Sequence, residues 1–201
     1  MGNGRTGIMA EQLTFLPEST APDSSRPQGL HYHPEFISAD DERALIAHIR
    51  ALPLAPFQFG AFEGKRRVLS FGWRYDFAEH RLREAEALPA WIMPTIGRIE
   101  ESSALPAGSI RHALFTEYEA GTSIGWHRDK AHFDLVFGLS LASSCKFRFR
   151  RKQGTRWERY TLDAEPRSLY LMSGEARSDW EHSIPPVEAP RYSITFRTLA
   201  R

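Results

Sequence analysis

Cys145-Lys146-Phe147-Arg148-Phe149-Arg150-Arg151-Lys152 alternates aromatic and basic side chains with a period of two. Successive side chains of an extended chain point to opposite faces, so Phe147, Phe149 and Arg151 share one side and Lys146, Arg148, Arg150 and Lys152 the other. The pattern predicts a strand whose phenylalanines pack inward. The basic row suits a solvated strand face, or a stripe that meets phosphates.

The same texture extends in both directions. Period-two runs separated by turn residues predict strands at 110–118, 124–128, 135–141, 145–151, 156–162, 168–172, 180–184 and 192–198, with Gly121, Gly138, Gly154 and Gly174 bending or punctuating them. Upstream the period changes. Ser38, with Asp41 three residues on, makes a capping-box-like helix start, Leu45, Ile46, Ile49 and Leu52 recur at helical spacing, and Pro53 stops the run. Further helices are predicted near 78–87 and over about 90–101, the latter with Trp91, Ile92, Ile96 and Ile99 as its apolar face. Many short strands after a helical half predict a mostly β fold with flanking helices, a jelly-roll barrel of two antiparallel sheets. The chain divides into a loose Gly-, Pro- and Ser-rich arm at 1–29, a helical support region at 30–104 and a β core at 105–201, all in one compact domain.

Composition narrows the class. The 201 residues are 41% hydrophobic and 25% charged, an ordinary globular balance, and no apolar run is long enough for a membrane helix. Cys145 is the only cysteine, which excludes an intramolecular disulfide framework and a cysteine-rich zinc site. With no leader-like start, a cytoplasmic monomer without membrane contact is expected. Net charge is +1, but residues 144–201 hold 12 Lys/Arg against 7 Asp/Glu, a local excess compatible with a phosphate-bearing partner or with nothing special.

Gly125-Trp126-His127-Arg128-Asp129 carries the sharpest chemical signal. His127 and Asp129, two apart on a strand, face one side, and His182 in Trp180-Glu181-His182-Ser183-Ile184 supplies a third donor 53 residues after Asp129. Two imidazoles and a carboxylate on one face of an octahedral ion leave three positions open, the facial triad of non-haem iron(II) oxygenases. The same donors suit zinc, and a lone His-x-Asp or a hydrogen-bonded core histidine is common. The chain's end adds a second pattern. In Arg191-Tyr192-Ser193-Ile194-Thr195-Phe196-Arg197, Tyr192, Ile194 and Phe196 form an apolar face, while Arg191, Ser193, Thr195 and Arg197 share the other. The two arginines are either surface residues of an edge strand or a buried pair. Buried, they need anions, and two such arms roughly 20 Å apart at their Cα atoms could clamp a short diacid from both ends.

These three motifs, in this order and spacing, resemble the AlkB family of nucleic-acid dealkylating dioxygenases, with a looser match from about Lys65 to Thr198. The resemblance implies a double-stranded β-helix fold using Fe(II), 2-oxoglutarate and O2. It implies that His127, Asp129 and His182 hold the iron, that Arg191 with Tyr118 binds the distal carboxylate of 2-oxoglutarate, and that Arg197 lies near the carboxylate at the keto end. Thr116 stands where the family usually has an asparagine. The stretch 66–77 resembles the family's nucleotide-recognition lid, within the 30–104 region, with Arg67, Trp73 and Tyr75 as candidate substrate contacts; the alternative is a strand that packs its rings in the core. Ala131, followed by His132, occupies the position of a base-contacting acidic residue in well-known dealkylating members. The expected activity is oxidative N-demethylation of alkylated DNA or RNA bases, a direct-reversal repair reaction. Two rivals remain: a hydroxylase or demethylase of a protein side chain or small molecule, and a catalytically silent nucleic-acid-binding domain.

Overall fold

The computed structural model describes residues 25–59, 62–76, 81–84 and 86–200, with only the backbone at 59, 62, 74–76, 81, 82 and 84. Of the arm expected at 1–29, residues 1–24 lie outside the described residues. The elements run β1 (Leu30–His33), α1 (Ala39–Arg50), β2 (Ala55–Phe59), β3 (Phe62–Asp76), β4 (Arg81–Glu84), a 3-10 turn (Ala90–Ile92), α2 (Met93–Ser102), β5 (Ile110–Tyr118), β6 (Ile124–His127), β7 (Phe133–Leu141), β8 (Cys145–Gln153), β9 (Arg156–Ala164), β10 (Leu169–Met172), α3 (Gly174–Ser178), β11 (Glu181–Ile184) and β12 (Arg191–Leu199). No helix among the described residues is long and apolar enough to cross a membrane.

Two antiparallel sheets face each other in a jelly-roll arrangement. The larger runs β1-β10-β7-β12-β5-β3-β2, with β4 on β3; the smaller runs β6-β11-β8-β9. One apolar cluster, with Leu45 and Ile49 of α1, Ile96 and Ile99 of α2, Phe115, Phe137, Ile194 and Phe196, covers the helix side of the large sheet. A second, with Tyr118, Val136, Phe147, Phe149, Tyr170 and Ile184, fills the space between the sheets. Phe147 and Phe149 therefore face inward as their alternation requires, at 3% and 0% exposure. Strand β12 is sandwiched by helices on one face and the second sheet on the other, so both its faces are buried.

Local chemistry explains the boundaries. Ser38 caps α1: its Oγ accepts from the Asp41 amide at 3.1 Å, and the Asp41 carboxylate accepts from the Ser38 amide at 3.3 Å. Ser38→Ala should lower stability by about 1 kcal/mol, read as a reduced urea midpoint at unchanged slope. Pro94 sits in the first turn of α2, where its missing N–H costs nothing, and a separate 3-10 turn precedes it, so the helix expected over 90–101 is two pieces. Gly138 lets Tyr170 cross β7, because a Cβ there would lie 2.0 Å from the Tyr170 ring.

The first half departs most from expectation. Part of the stretch expected as a helix near 78–87 is instead strand β4, pairing Trp73 with Glu84 and Tyr75 with Leu82; residues 77–80 and 85 lie outside the described residues. Among the described residues four strands occupy 30–104 besides the helices, and β3 hydrogen-bonds to β5 over Arg67–Gly72, extending the large sheet. Cross-strand pairing, a non-local interaction, overrides the helix preference of Arg, Leu and Glu there.

Candidate functional site

The register of two short strands assembles the site. β6 and β11 pair so that His127 is opposite His182, and their ring centroids are 4.3 Å apart. β6 ends at His127, one residue short of the expected strand, and Asp129 follows two residues on in the irregular stretch after it. Its Oδ2 lies 3.6 Å from His182 Nε2, and its Oδ1 accepts from Arg197 Nη2 at 2.8 Å. The His127 Nδ1 lies 2.9 Å from the Gly125 carbonyl, which can only accept, so Nδ1 carries a hydrogen and Nε2 is the nitrogen left to meet a metal. The edge of Phe147 packs against His182, with centroids 5.4 Å apart.

Among the described residues, no three such donors already surround one ion-sized space, because Asp129 is shared between His182 and Arg197. The chemistry of the set nevertheless fits a divalent cation. Burial opposes ionisation of Asp129, yet the charge and hydrogen bond of Arg197, aided by His182, outweigh it and hold the carboxyl well below the usual carboxylate range. Burial pushes the His182 pKa down to about 3, so the ring is neutral. An anionic carboxylate and neutral imidazoles are the protonation states a metal requires.

The far wall of the same pocket is cationic. Arg191 is 1% exposed. Its Nη2 donates to Ser140 Oγ at 3.0 Å, and its guanidinium carbon lies 4.9 Å from the centre of the Tyr118 ring. Its Nε and Nη1 have no partner, so a buried cation awaits an anion. Tyr118 Oη and Ser193 Oγ are 3.3 Å apart, and Thr116, directly across from Ser193, lines the pocket with Thr195. Arg197 lies at the donor end, where Nη2 holds Asp129 and Nη1 meets His112 Nδ1 at 3.2 Å. Its guanidinium is thus engaged by protein groups, leaving only Nε unpartnered.

The candidate substrate contacts are placed unevenly. Arg67 bonds Glu117 at 2.9 Å and the Leu54 carbonyl at 2.8 Å and does not line the pocket; its neighbour Arg66 does. Arg66 lies over the Phe57 ring at 3.9 Å. Parity decides between them: Val68 is opposite pocket-lining Thr116, so Arg66 shares the pocket side, whereas Arg67 is in phase with Leu69 and core Phe71. Trp73 is half-buried, with its Nε1 unpartnered, and lies outside the pocket wall. Tyr75 pairs through its backbone with Leu82, and its side chain is outside the described residues. Sequence reasoning also missed Ser140 and His112, which hold Arg191 and Arg197 and belong to no motif.

His112 is buried, and burial followed by the Arg197 charge pushes its pKa down to about 3. Both His112 and His182 thus have folded pKa values below the unfolded value of about 6.5. Their contribution to stability is present above pH 6.5 and is lost as pH falls from there toward 3. Metal-free protein should lose about 1 kcal/mol per histidine between pH 6 and 5, measured by urea melts, and His112→Asn should remove its share.

Comparison with known proteins places the chain in a family. Residues 29–197 match the family described as the 2OG-Fe(II) oxygenase superfamily. The chain is 29% identical over 197 residues to the Arabidopsis thaliana protein named "Alkylated DNA repair protein ALKBH8 homolog", covering 85% of this chain and 54% of that one. It is 29% identical over 167 residues to the Mus musculus "tRNA (carboxymethyluridine(34)-5-O)-methyltransferase ALKBH8", covering 80% of this chain and 24% of that one. The chain therefore spans about half, or less, of these relatives' length. The solved structure of OsALKBH1 superposes with a TM-score of 0.63 at 17% identity, covering 86% of this chain and 97% of that one. With the donor set at one end of the pocket and the cationic wall at the other, the match over nearly the whole chain means that it belongs to the 2OG-Fe(II) oxygenase superfamily, as an AlkB-like 2-oxoglutarate-dependent dioxygenase.

Proposed function

We propose that this protein removes N-alkyl groups oxidatively from bases in DNA or RNA. The observation that carries the reading is the pairing, in one pocket, of a two-histidine, one-carboxylate donor set with a buried arginine that lacks an anion. His127, Asp129 and His182 would hold iron(II), which with O2 and 2-oxoglutarate would supply the oxidation of an alkyl C–H bond.

The chain's own residues bind and orient. Arg191 takes the distal carboxylate of 2-oxoglutarate, with Ser140 fixing one guanidinium nitrogen and Tyr118 flanking it. The small Ser193 and Thr195 leave room along β12, and the Thr116 hydroxyl can donate beside them. Arg197 keeps Asp129 ionised, while the Gly125 carbonyl fixes the His127 tautomer. The nucleic-acid substrate is supported by relatives named for alkylated-DNA repair and for a tRNA enzyme, and by Arg66, a pocket-lining cation besides Arg191 and the Asp129-paired Arg197. With Ala131 in place of an acidic residue, the base preference of the well-known dealkylating members does not carry over.

Methylated DNA and RNA oligonucleotides, screened by mass spectrometry, test the reading. Succinate and formaldehyde should form in equal amounts and only with a methylated strand. Turnover coupled to a peptide or metabolite but to no methylated base would instead assign a protein or small-molecule oxygenase. Tight nucleic-acid binding without iron uptake would assign a silent binding domain. Separately, anaerobic iron(II) with 2-oxoglutarate should give the weak visible band of a chelated keto acid.

A further inference from the structure

The pocket uses only the inner face of the small sheet. The outer face carries a different pattern. Pairing of Arg148 with Thr161, Arg150 with Arg159 and Lys152 with Trp157 puts these side chains on one side of β8 and β9, opposite Phe147 and Phe149. Trp126 joins them from β6. The Arg150 guanidinium lies 4.4 Å from the Trp126 ring centre and 4.6 Å from that of Trp157, and its Nε donates to Glu181 at 2.7 Å. Arg148 lies over Trp126 at 5.2 Å, with its Nε donating to Ser183 Oγ at 3.2 Å. The result is a fixed ladder of indole and guanidinium planes.

Its charge is one-sided. Lys146, Arg148, Arg150, Lys152 and Arg159 face two carboxylates, Glu181 and Asp163, which bond Arg150 and Lys146. Among the described residues no carboxylate pairs with Arg148, Lys152 or Arg159. Trp157 is 40% exposed, where a large apolar side chain is usually covered. A solvated strand face explains the cations but not an exposed indole.

We propose that this face binds single-stranded nucleic acid, taking the phosphates and bases that flank the base held in the pocket. The inference rests on the nucleic-acid reading above and names a second contact surface for that substrate. Cations answer the phosphates, and the exposed Trp157 ring can stack an unpaired base without sequence preference. Position supports it: β6 is the outer strand of its sheet, with His127 in the pocket wall and Trp126 on the opposite side. A strand leaving the pocket around β6 meets Trp126 first, and β9 lies three strand spacings on, roughly 14 Å away.

Anisotropy titrations of the full chain with unmodified labelled 20-nucleotide RNA and DNA test the surface, with methylated trinucleotide turnover run in parallel. The variants are Lys152→Glu/Arg159→Glu and Trp157→Ala, none of which touches the pocket. The double variant should bind the 20-mer tenfold or more weakly, with the log–log salt slope reduced by about one or more. Trp157→Ala should weaken binding severalfold at an unchanged slope. Both should keep wild-type trinucleotide turnover and melting temperature. Variants that bind the 20-mer like wild type, or a wild type that turns over trinucleotide yet binds the 20-mer no tighter, would overturn the surface alone. A wild type that neither binds nor turns over any nucleic acid would overturn the reading beneath it.

Discussion

Arg191→Met should raise the KM for 2-oxoglutarate at least 100-fold and, in the same protein without co-substrate, raise the melting temperature by several degrees. The two effects have one cause. Arg191 is a fully buried cation with one hydrogen bond, to Ser140, and two orphaned nitrogens. Burying an unpaired charge costs folding free energy, and a flexible apolar side chain of similar length removes that cost. When the diacid arrives, the same guanidinium gains a charge-assisted bidentate partner in a dry site, so its loss should cost about 3 kcal/mol or more of binding. Each kcal/mol regained by the free protein is about 2–4 °C for a chain of this size. Iron(II) affinity should be unchanged, because Arg191 sits at the other end of β12 from Arg197 and Asp129. An unchanged KM in a folded variant would show that the diacid binds elsewhere. Ser140→Ala should raise the KM a few-fold only, since it frees one more nitrogen without removing the charge.

How much was legible in the sequence depends on the range of the force involved. Strands β5, β8 and β12 could be read because each alternates against a buried face: Phe147 and Phe149 in one cluster, Ile194 and Phe196 in the other. The Ser38 cap was legible because it is purely local. β4 was not, since its partners on β3 are up to eleven residues away and its composition is helix-like. In the site, His127, Asp129, His182 and Arg191 stood out as motif residues. His112 and Ser140 did not, because what selects them is the far partner each touches, 85 and 51 residues along the chain. Arg66 was within reach: the same parity that placed the phenylalanines of β8 separates it from Arg67.

Asp129→Asn should abolish turnover and, unlike Arg191→Met, destabilise the fold. The Asp129 side chain is 10% exposed and touches Arg197 at 2.8 Å and His182 at 3.6 Å. The amide oxygen can still accept from Arg197, so geometry is largely kept while the charge is lost. That leaves the Arg197 guanidinium, 11% exposed, with a neutral His112 and a neutral amide as partners. Breaking a buried pair from one side costs about 3–5 kcal/mol, somewhat less where a hydrogen bond survives. The melting temperature should fall by about 5–10 °C. Because the Asp129 carboxyl is held below its unfolded value, its stabilisation is fully present above about pH 4 and is lost only as pH falls through its lower folded value. The gap between wild type and variant should therefore be constant from pH 5 to 8. Metal affinity, measured by anaerobic titration with iron(II), should fall by at least two orders of magnitude as one of three donors loses its charge. Opposite stability changes in two impaired variants separate the residues' tasks: Asp129 neutralises charge within the folded chain, whereas Arg191 holds charge in reserve for a ligand. An Asp129→Asn protein that bound iron(II) like wild type would remove the carboxylate from the metal site, whatever happened to its stability.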